Sequence, residues 1–414
     1  MKTRSRILFV SQTARGTSTT NRYVELCTNC ARTGYRTTLF FIGKGKAAHD
    51  RSLRYPESIG QVAVRHSRPI PSFLLKRSNP LTAGIAALFL FCTCIPRLLF
   101  ACFRNDVIVL GKPLPFGAFS VFFCAAVTRK PVVLDADDWE GVGGFATLNQ
   151  GNNAFAKAVI TFFEEWAPPR SAAVVVVSRL LGDRMRHAGV ADGDIFYVPN
   201  GADIQKFNPG IDGGPIRAQF GVEGKTVLGY LGTFKPGGAS WQFMLDAFHH
   251  ICRSKENAVL LIIGFGPQLD DAQAYAKRLG IDSRIVFTGK VPHEEAPRYL
   301  AASDVLILPY SAEFPDTFVN AGRSSLKLYE YMAMGRPIVA SDIGELHESL
   351  KEGGGVLVQE NSPETFGRLV CELLDNPEAM RRFGAEARRR AENRYNYGEL
   401  AKEFAKAIEH AINK

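Results

Sequence analysis

The chain has 414 residues, 46% of them apolar and 22% charged, and a formal net charge of +9. That length exceeds one ordinary hydrophobic core and points to two domains of roughly 200 residues each, with the composition of a soluble globular protein. The eight cysteines lie mostly inside apolar runs, and no two pairs have zinc spacing, which argues against a structural zinc site and fits a reducing cytoplasm.

Charge is divided unevenly along the chain. Residues 1–200 hold 25 basic and 13 acidic side chains, whereas residues 201–414 hold 25 and 28. A basic first half suits an anionic partner, and without a nucleic-acid recognition motif an anionic membrane surface is the better candidate. The start has only four consecutive apolar residues, Ile7–Val10, too few for a secretory signal, and so reads as a first strand. Arg15-Gly16 follow it. Asn21–Arg32 has a helical pattern, in which Cys27 and Cys30 read as two buried thiols, and Thr37–Ile42 is the next strand.

Within Leu81–Phe103, Ala83–Ile95 is the one long apolar run, ended by Pro96-Arg97. It falls short of the roughly 20 residues that span a bilayer. Two readings stay open: a helix packed on a sheet, or an interfacial patch flanked by Lys76, Arg77, Arg97 and Arg104. Val107–Leu110 and Val132–Leu134 are buried strands. The second runs into Asp135, Asp137 and Asp138, three carboxylates within four residues that repel one another unless a cation is near. Turn-forming aspartates and a divalent-metal site are the alternatives there. A helical pattern at Phe155–Trp166 and a strand at Val174–Val177 complete this half.

Pro199–Asp203 through Gly213–Pro215 is rich in Pro, Gly and Asp and makes a domain junction. Strands at Val227–Leu231, Leu260–Ile263, Ile285–Phe287, Val305–Leu308 and Ile338–Val339 then alternate with helical stretches, the pattern of parallel sheets covered on both faces. Glycines follow these strands at Gly232 and at Gly264-Phe-Gly266. They suit either backbone approach to a pyrophosphate or a tight turn. Ser324 and Ser325 open a helix as candidate caps. Lys327 and Glu330 lie three apart on it and point the same way, while Gly335 and Pro337 end it. A cation and a carboxylate on a helix that starts at a strand end suit a phosphate and a ribose together. His293, like His249 and His250, reads as a surface or capping group. Gly398–Ile412 is a last helix.

The stretch Ser324–Ser341 resembles the donor-binding segment of the family 4 retaining glycosyltransferases, in which a lysine precedes a glutamate on a helix ending in Ala-x-Gly-x-Pro. Val198-Pro-Asn-Gly-Ala-Asp203 with Phe207-Asn-Pro209 is similar to that family's interdomain signature. Gly264-Phe-Gly-Pro267 resembles its Gly-x-Gly-Pro turn, and Val286-Phe-Thr-Gly289 with Val291-Pro-His-Glu294 its nucleotide-base loop. The four segments stand in family order over about half the chain.

The resemblance implies an α/β fold of GT-B architecture, two Rossmann-like domains with parallel sheets facing across a cleft. Residues 1–205 would bind the acceptor, residues 206–395 the nucleotide sugar, and residues 396–414 would form a helix crossing back to the first domain. By the same resemblance, Glu330 accepts hydrogen bonds from both ribose hydroxyls. Lys327 and the helix-start amides of Ser324, Ser325 and Leu326 face the diphosphate, with Gly232, Thr233, Lys235, Gly264 and Gly266 around it. Lys290 and Val291 meet the base. Thr233 stands where the family has an arginine, so Arg323 becomes a second candidate cation. Gly322 replaces a family glutamate, so Asn320 and Ser324 become candidates for the donor sugar. Asp135, Asp137 and Asp138 face the acceptor and join Lys327 as the catalytic group, and Gly16 matches half of a Gly-Gly loop.

The implied activity is transfer of a hexosyl group from a UDP- or GDP-linked sugar to a glycan or lipid-linked acceptor, with retention, in cell-surface polysaccharide or glycolipid synthesis. The donor is a substrate, and neither cofactor nor metal is expected. The implied setting is cytoplasmic, peripheral on the inner face of the plasma membrane. A catalytically degraded GT-B protein that scaffolds a partner and a GT-B nucleotide-sugar epimerase are the alternatives.

Overall fold

The computed structural model describes residues 5–13, 17–42, 57–67, 80–144, 153–234, 241–311 and 324–414. The chain divides into two compact units, Met1–Pro199 with Tyr397–Lys414, and Asn200–Asn396.

The first unit is built on an eight-stranded sheet: β1 (Arg6–Ser11), β2 (Arg36–Phe41), β3 (Ser58–Ile59), β4 (Val62–His66), β5 (Val107–Gly111), β6 (Val132–Ala136), β7 (Ala173–Val176) and β8 (Ile195–Tyr197). Their order is β3-β4-β2-β1-β5-β6-β7-β8, and every pair but β3–β4 is parallel. β5, β6 and β7 are buried along their whole length, which is why, Asp135 at the end of β6 apart, they read as apolar runs rather than as alternating ones. β3, β4 and β8 lie toward the sheet edges. They are short and partly exposed, so periodicity passes over them.

Helices α1 (Ser18–Arg32), α2 (Pro80–Phe103), α3 (Pro115–Thr128), α4 (Ala154–Trp166) and α5 (Arg179–His187) join these strands. Thr17 caps α1 and Asn153 caps α4, each side chain accepting from a first-turn amide. Cys27 and Cys30 are free and buried on α1, and burial pushes the Cys30 thiol up to about 12. α2 buries Cys94, Leu98 and Cys102 against the unit, as a helix packed on the sheet does, and leaves Leu88, Phe100 and Phe103 mostly exposed. Among the described residues, no helix is long and apolar enough to cross a membrane.

The second unit has a six-stranded, all-parallel sheet: β9 (Thr226–Leu231), β10 (Ala258–Ile263), β11 (Ile285–Phe287), β12 (Val305–Leu308), β13 (Ile338–Ser341) and β14 (Gly355–Val358), in the order β11-β10-β9-β12-β13-β14. Its helices are α6 (Gly214–Phe220), α7 (Trp241–Ser254), α8 (Leu269–Arg278), α9 (Ala296–Ala301), α10 (Leu326–Ala333), α11 (Gly344–Leu350), α12 (Pro363–Leu374) and α13 (Pro377–Asn393). The last helix, α14 (Tyr397–Asn413), packs against α1 and β7 of the first unit, where Phe404 stacks on Phe9 at 5.7 Å.

Candidate functional site

In the second unit the chain runs from β9 outward to β10 and β11, then returns to β12 and continues to β13 and β14 on the other side. The direction therefore reverses between β9 and β12, the place where open parallel sheets receive ligands beyond their strand ends. Lys327 of α10 sits at this point. Its Nζ lies 3.3 Å from the Tyr230 hydroxyl on β9. It is also 4.8 Å from the Tyr230 ring centre and 5.5 Å from that of Tyr310, just past β12. Two aromatic faces thus flank the ammonium. Leu231 N–H donates to the Tyr331 hydroxyl at 2.6 Å, which pins α10 to the end of β9.

The serines before α10 do not cap it, contrary to expectation. Ser325 occupies the cap position without a side-chain bond. Ser324 is spent on the incoming chain: its Oγ accepts from Asn200 N–H at 3.1 Å and its carbonyl from Asn200 Nδ2 at 2.8 Å. Gly335 ends the helix in the left-handed conformation, φ +63°, as its position suggested.

Glu330 and Lys327 meet different neighbours despite their spacing. Glu330 is 5% exposed, and its Oε1 lies 2.7 Å from His293 Nε2. On the other side of the imidazole, Lys206 Nζ lies 2.9 Å from Nδ1. An ammonium can only donate, so Nδ1 accepts and the proton sits on Nε2, aimed at the carboxylate. His293 is exposed, as its sequence context implied, but it is also bonded to Glu330, which the sequence did not reveal. The only sequence signal for it was its place just after a strand end, in Val291-Pro-His-Glu294.

The glycines of this region have a packing cause. A Cβ at Gly264 would lie 1.7 Å from the Gly232 carbonyl oxygen, one at Gly266 2.1 Å from that of Phe234, and one at Gly232 2.4 Å from the Tyr230 hydroxyl. Gly266 also has φ +154°. The ends of β9 and β10 are pressed together, with Phe234 N–H bonded to the Phe265 carbonyl at 2.9 Å. Thr233 is exposed beside them. Lys290 Nζ lies 5.4 Å over the Phe265 ring, and Val291 is partly buried next to it. Gly16, Lys235, Asn320 and Arg323 lie outside the described residues.

The carboxylates after β6 have the cations that their density demanded. Asp135 is fully buried, and both its oxygens are bonded at 3.1 Å by Arg22 of α1, itself without exposed surface. The remaining Arg22 donors reach the carbonyls of Val198 and Pro199, each at 2.8 Å. Burial raises the Asp135 carboxyl above its usual range against the pull of Arg22. A carboxylate with no exposure and both oxygens engaged cannot meet an acceptor hydroxyl, so Asp135 is a tether, not a member of a reacting group.

Asp137 and Asp138 differ from it. Lys112, just after β5, places its Nζ 3.4 Å from Asp137 Oδ1, 3.2 Å from Asp138 Oδ2 and 2.6 Å from Glu140 Oε1. Burial works against this ammonium, but the three carboxylates outweigh it and raise its pKa well above the ordinary value. Lys112 holds a left-handed backbone, φ 55°, rare for a residue with a side chain. Among the described residues, the buried Asp137 Oδ1 has no hydrogen bond beside this ion pair. Asp138 keeps 19% of its side chain exposed and is the accessible carboxylate of the pair. Glu164 on α4 is wholly buried nearby, and burial followed by the charge of Glu140 lifts its carboxyl well above the usual range. Neither Arg22, Lys112 nor Glu164 was visible as a partner from sequence. Among the described residues no cluster suited to a metal ion occurs.

Two family models match the chain. Residues 19–201 match the glycosyl transferase 4-like domain, and residues 225–376 match the glycosyl transferases group 1 domain. An uncharacterized glycosyltransferase of Methanocaldococcus jannaschii is 27% identical over 243 residues, covering 58% of this chain and 59% of that protein. The D-inositol 3-phosphate glycosyltransferase of Rhodococcus jostii is 27% identical over 249 residues, 53% of each chain. The chain thus spans less than two thirds of the length of these relatives. Among solved structures, Anabaena HepE in complex with UDP and glucose superposes with a TM-score of 0.70 at 16% identity, covering 98% of this chain and all of the other. At that identity the likeness is one of fold.

Proposed function

The chain belongs to the group 1 glycosyltransferases of GT4 type, with the GT-B pair of parallel-sheet α/β domains, and we propose that it transfers a sugar from a nucleotide diphosphate sugar. The donor is UDP- or GDP-linked, the acceptor is a glycan or lipid-linked, and the anomeric configuration is retained. One observation carries this reading: Lys327 stands at the strand-order reversal between Tyr230 and Tyr310, one helical turn before Glu330. The UDP and glucose held by the Anabaena neighbour support a nucleotide-sugar donor.

In this reading Lys327 stabilises the departing diphosphate, where negative charge grows most. Glu330 takes the ribose. Its Oε1 accepts from His293 and keeps a lone pair to spare, so the carboxylate held by that bond can receive both ribose hydroxyls. Lys290 and Val291 border the base. Asp138, paired with Lys112 but still accessible, hydrogen-bonds the acceptor, with Asp137 behind it. We propose no resident cofactor, the donor being a substrate and Lys327 supplying the charge that the leaving group needs. The excess of basic residues in positions 1–200 supports work against an anionic membrane on its cytoplasmic side, in the assembly of a surface polysaccharide or glycolipid.

Titration calorimetry with UDP and with GDP tests the proposal, followed by turnover of Lys327→Ala and Glu330→Ala on a panel of UDP- and GDP-sugars. Binding of one nucleotide, weakened by both substitutions, is expected. A chain that binds neither nucleotide is a scaffold, and unchanged turnover in both variants removes the assigned site.

A further inference from the structure

The sheet of the first unit is clothed differently on its two faces. α1 and α14 pack together on one side, where Phe9 stacks on Phe404. α2, α3 and α4 form the other layer, α3 touching both of its neighbours. The outward side of this second layer is aromatic. Phe91 of α2 and Phe119 and Phe123 of α3 form a trio with ring centres 6.1–6.3 Å apart, yet all three are 37–47% exposed. Val127, one further turn along α3, extends the stripe and is 53% exposed. From there the rings continue to α4: Phe122 meets Trp166 edge-on at 5.0 Å, and Phe162 stacks on Trp166 at 6.3 Å while remaining half exposed. An apolar surface that runs across three helices is more than scattered exposed residues and marks an interaction site.

Charge says what that site meets. α2 and α3 contain no acidic residue, and α4 contains only Glu164, which is buried, and Glu165. Cations gather where the three helices end. Arg104 lies 4.1 Å over the Phe100 ring and Arg170 4.9 Å over Trp166, so each carries its charge on an aromatic support. Beneath the end of α3, a depression of about 430 Å³ is lined by Lys130, Arg170 and Lys414 together with Ser171. Of these, Lys414 is paired with Asp194. Two copies of this face would bring like charges together, which opposes self-association through it. A surface with an apolar interior and an anionic rim matches both features at once.

We infer that the outward side of the α2–α3–α4 layer is a docking surface for a bilayer containing anionic phospholipid. Phe91, Phe119, Phe123 and Phe162 enter the acyl boundary, while Arg104, Lys130 and Arg170 hold lipid phosphates, the last two within the depression at the end of α3. This deepens the membrane part of the function proposed above by naming the face, and it does not depend on the sugar chemistry.

Co-sedimentation with two kinds of vesicle tests it: phosphatidylcholine alone, and phosphatidylcholine with roughly one third phosphatidylglycerol. The full chain is expected to partition to the anionic vesicles only. Phe119→Ser with Phe123→Ser, and separately Lys130→Glu with Arg170→Glu, should each lower that partition about tenfold or more. UDP affinity, measured in parallel, should stay unchanged in both double variants, which reports that the chain is folded. Vesicle binding without any nucleotide binding would sink the donor assignment and uphold this surface. The surface is refuted if the chain stays in the supernatant with anionic vesicles, or if the phenylalanine variant still sediments fully. A concentration-dependent dimer that the phenylalanine variant abolishes would equally refute it, since a second copy then covers the face.

Discussion

His293 aims its Nε2 proton at Glu330 Oε1 across 2.7 Å while its Nδ1 accepts from Lys206 at 2.9 Å. A nearly buried carboxylate is thereby held in one orientation, with one oxygen committed before any ligand arrives. Phe207, its ring centre 5.5 Å from the imidazole, backs this arrangement.

Replacing His293 therefore acts on Glu330 before it acts on any ligand. His293→Ala should weaken UDP or GDP binding about tenfold, the worth of one hydrogen bond to a charged group. His293→Gln, which keeps an N–H donor, should recover part of the loss. Calorimetric titration of the two variants decides it, and equal affinity in wild type and the alanine variant would show that Glu330 needs no support.

Lys327 is expected to act on a different quantity. Its ammonium meets charge that grows as the diphosphate departs, so Lys327→Met should lower kcat about 100-fold or more with a much smaller change in KM. Tyr230→Phe removes only the hydroxyl 3.3 Å from Nζ and leaves the ring, so its kcat should fall only a few-fold. Steady-state kinetics on the preferred donor measures both. A Lys327→Met variant whose KM rises while kcat holds would make the lysine a binding group only.

Most of the fold was legible because β5, β6, β7, β10 and β12 are covered on both faces and so are apolar but for the paired Asp135 of β6. β3, β4, β8 and β14 lie at or near sheet edges, carry less burial and left no such trace. In the site, Lys327 and Glu330 could be picked out because they share one helix. Their functional neighbours could not. His293 reaches Glu330 across 37 positions and Arg22 reaches Asp135 across 113, pairings that only strand order brings about. The acidic run after β6 did announce that a cation was needed, but nothing in the sequence said whether it was Lys112 or another. The glycines kept two readings open for a related reason. Gly232, Gly264 and Gly266 are where a phosphate loop would have them, yet the contacts that forbid a side chain come from neighbouring protein atoms.

Arg22 and Asp135 form a pair whose members cannot be removed one at a time. Both are without exposed surface, so Arg22→Met leaves a buried carboxylate unpaired and should cost about 3–5 kcal/mol of stability. Combining Arg22→Met with Asp135→Leu removes both charges and should recover most of that loss. Urea unfolding of the two single variants and the double variant closes the cycle. A double variant no more stable than Arg22→Met would mean that the bonds to the Val198 and Pro199 carbonyls, not the ion pair, hold this region.

Glu164 makes stability depend on pH. Burial, then the charge of Glu140, lifts its carboxyl well above the value it has in the unfolded chain, about 4.3. Its contribution is fully present below that unfolded value and is lost as pH rises toward the folded one. Glu164→Gln cannot ionise and escapes the loss. The stability of the variant relative to wild type should therefore increase from pH 5 to pH 8, read as the difference in urea midpoint. A difference that stays flat with pH would mean that Glu164 is ionised in the folded chain.

Gly264→Ala separates a packing role from a ligand role at the end of β10. The added Cβ would lie 1.7 Å from the Gly232 carbonyl oxygen, a backbone atom that cannot rotate away. Relief requires the end of β9 to move, and with it the bonds from Gly232 N–H to Ile263 and from Phe234 N–H to Phe265. The variant should lose about 1–3 kcal/mol even without nucleotide, as overpacked sites do. Thermal unfolding without and with UDP is the measurement. If Tm is unchanged without UDP and only the UDP-induced rise disappears, then the glycine serves the ligand and the close approach of the two strand ends is not what demands it.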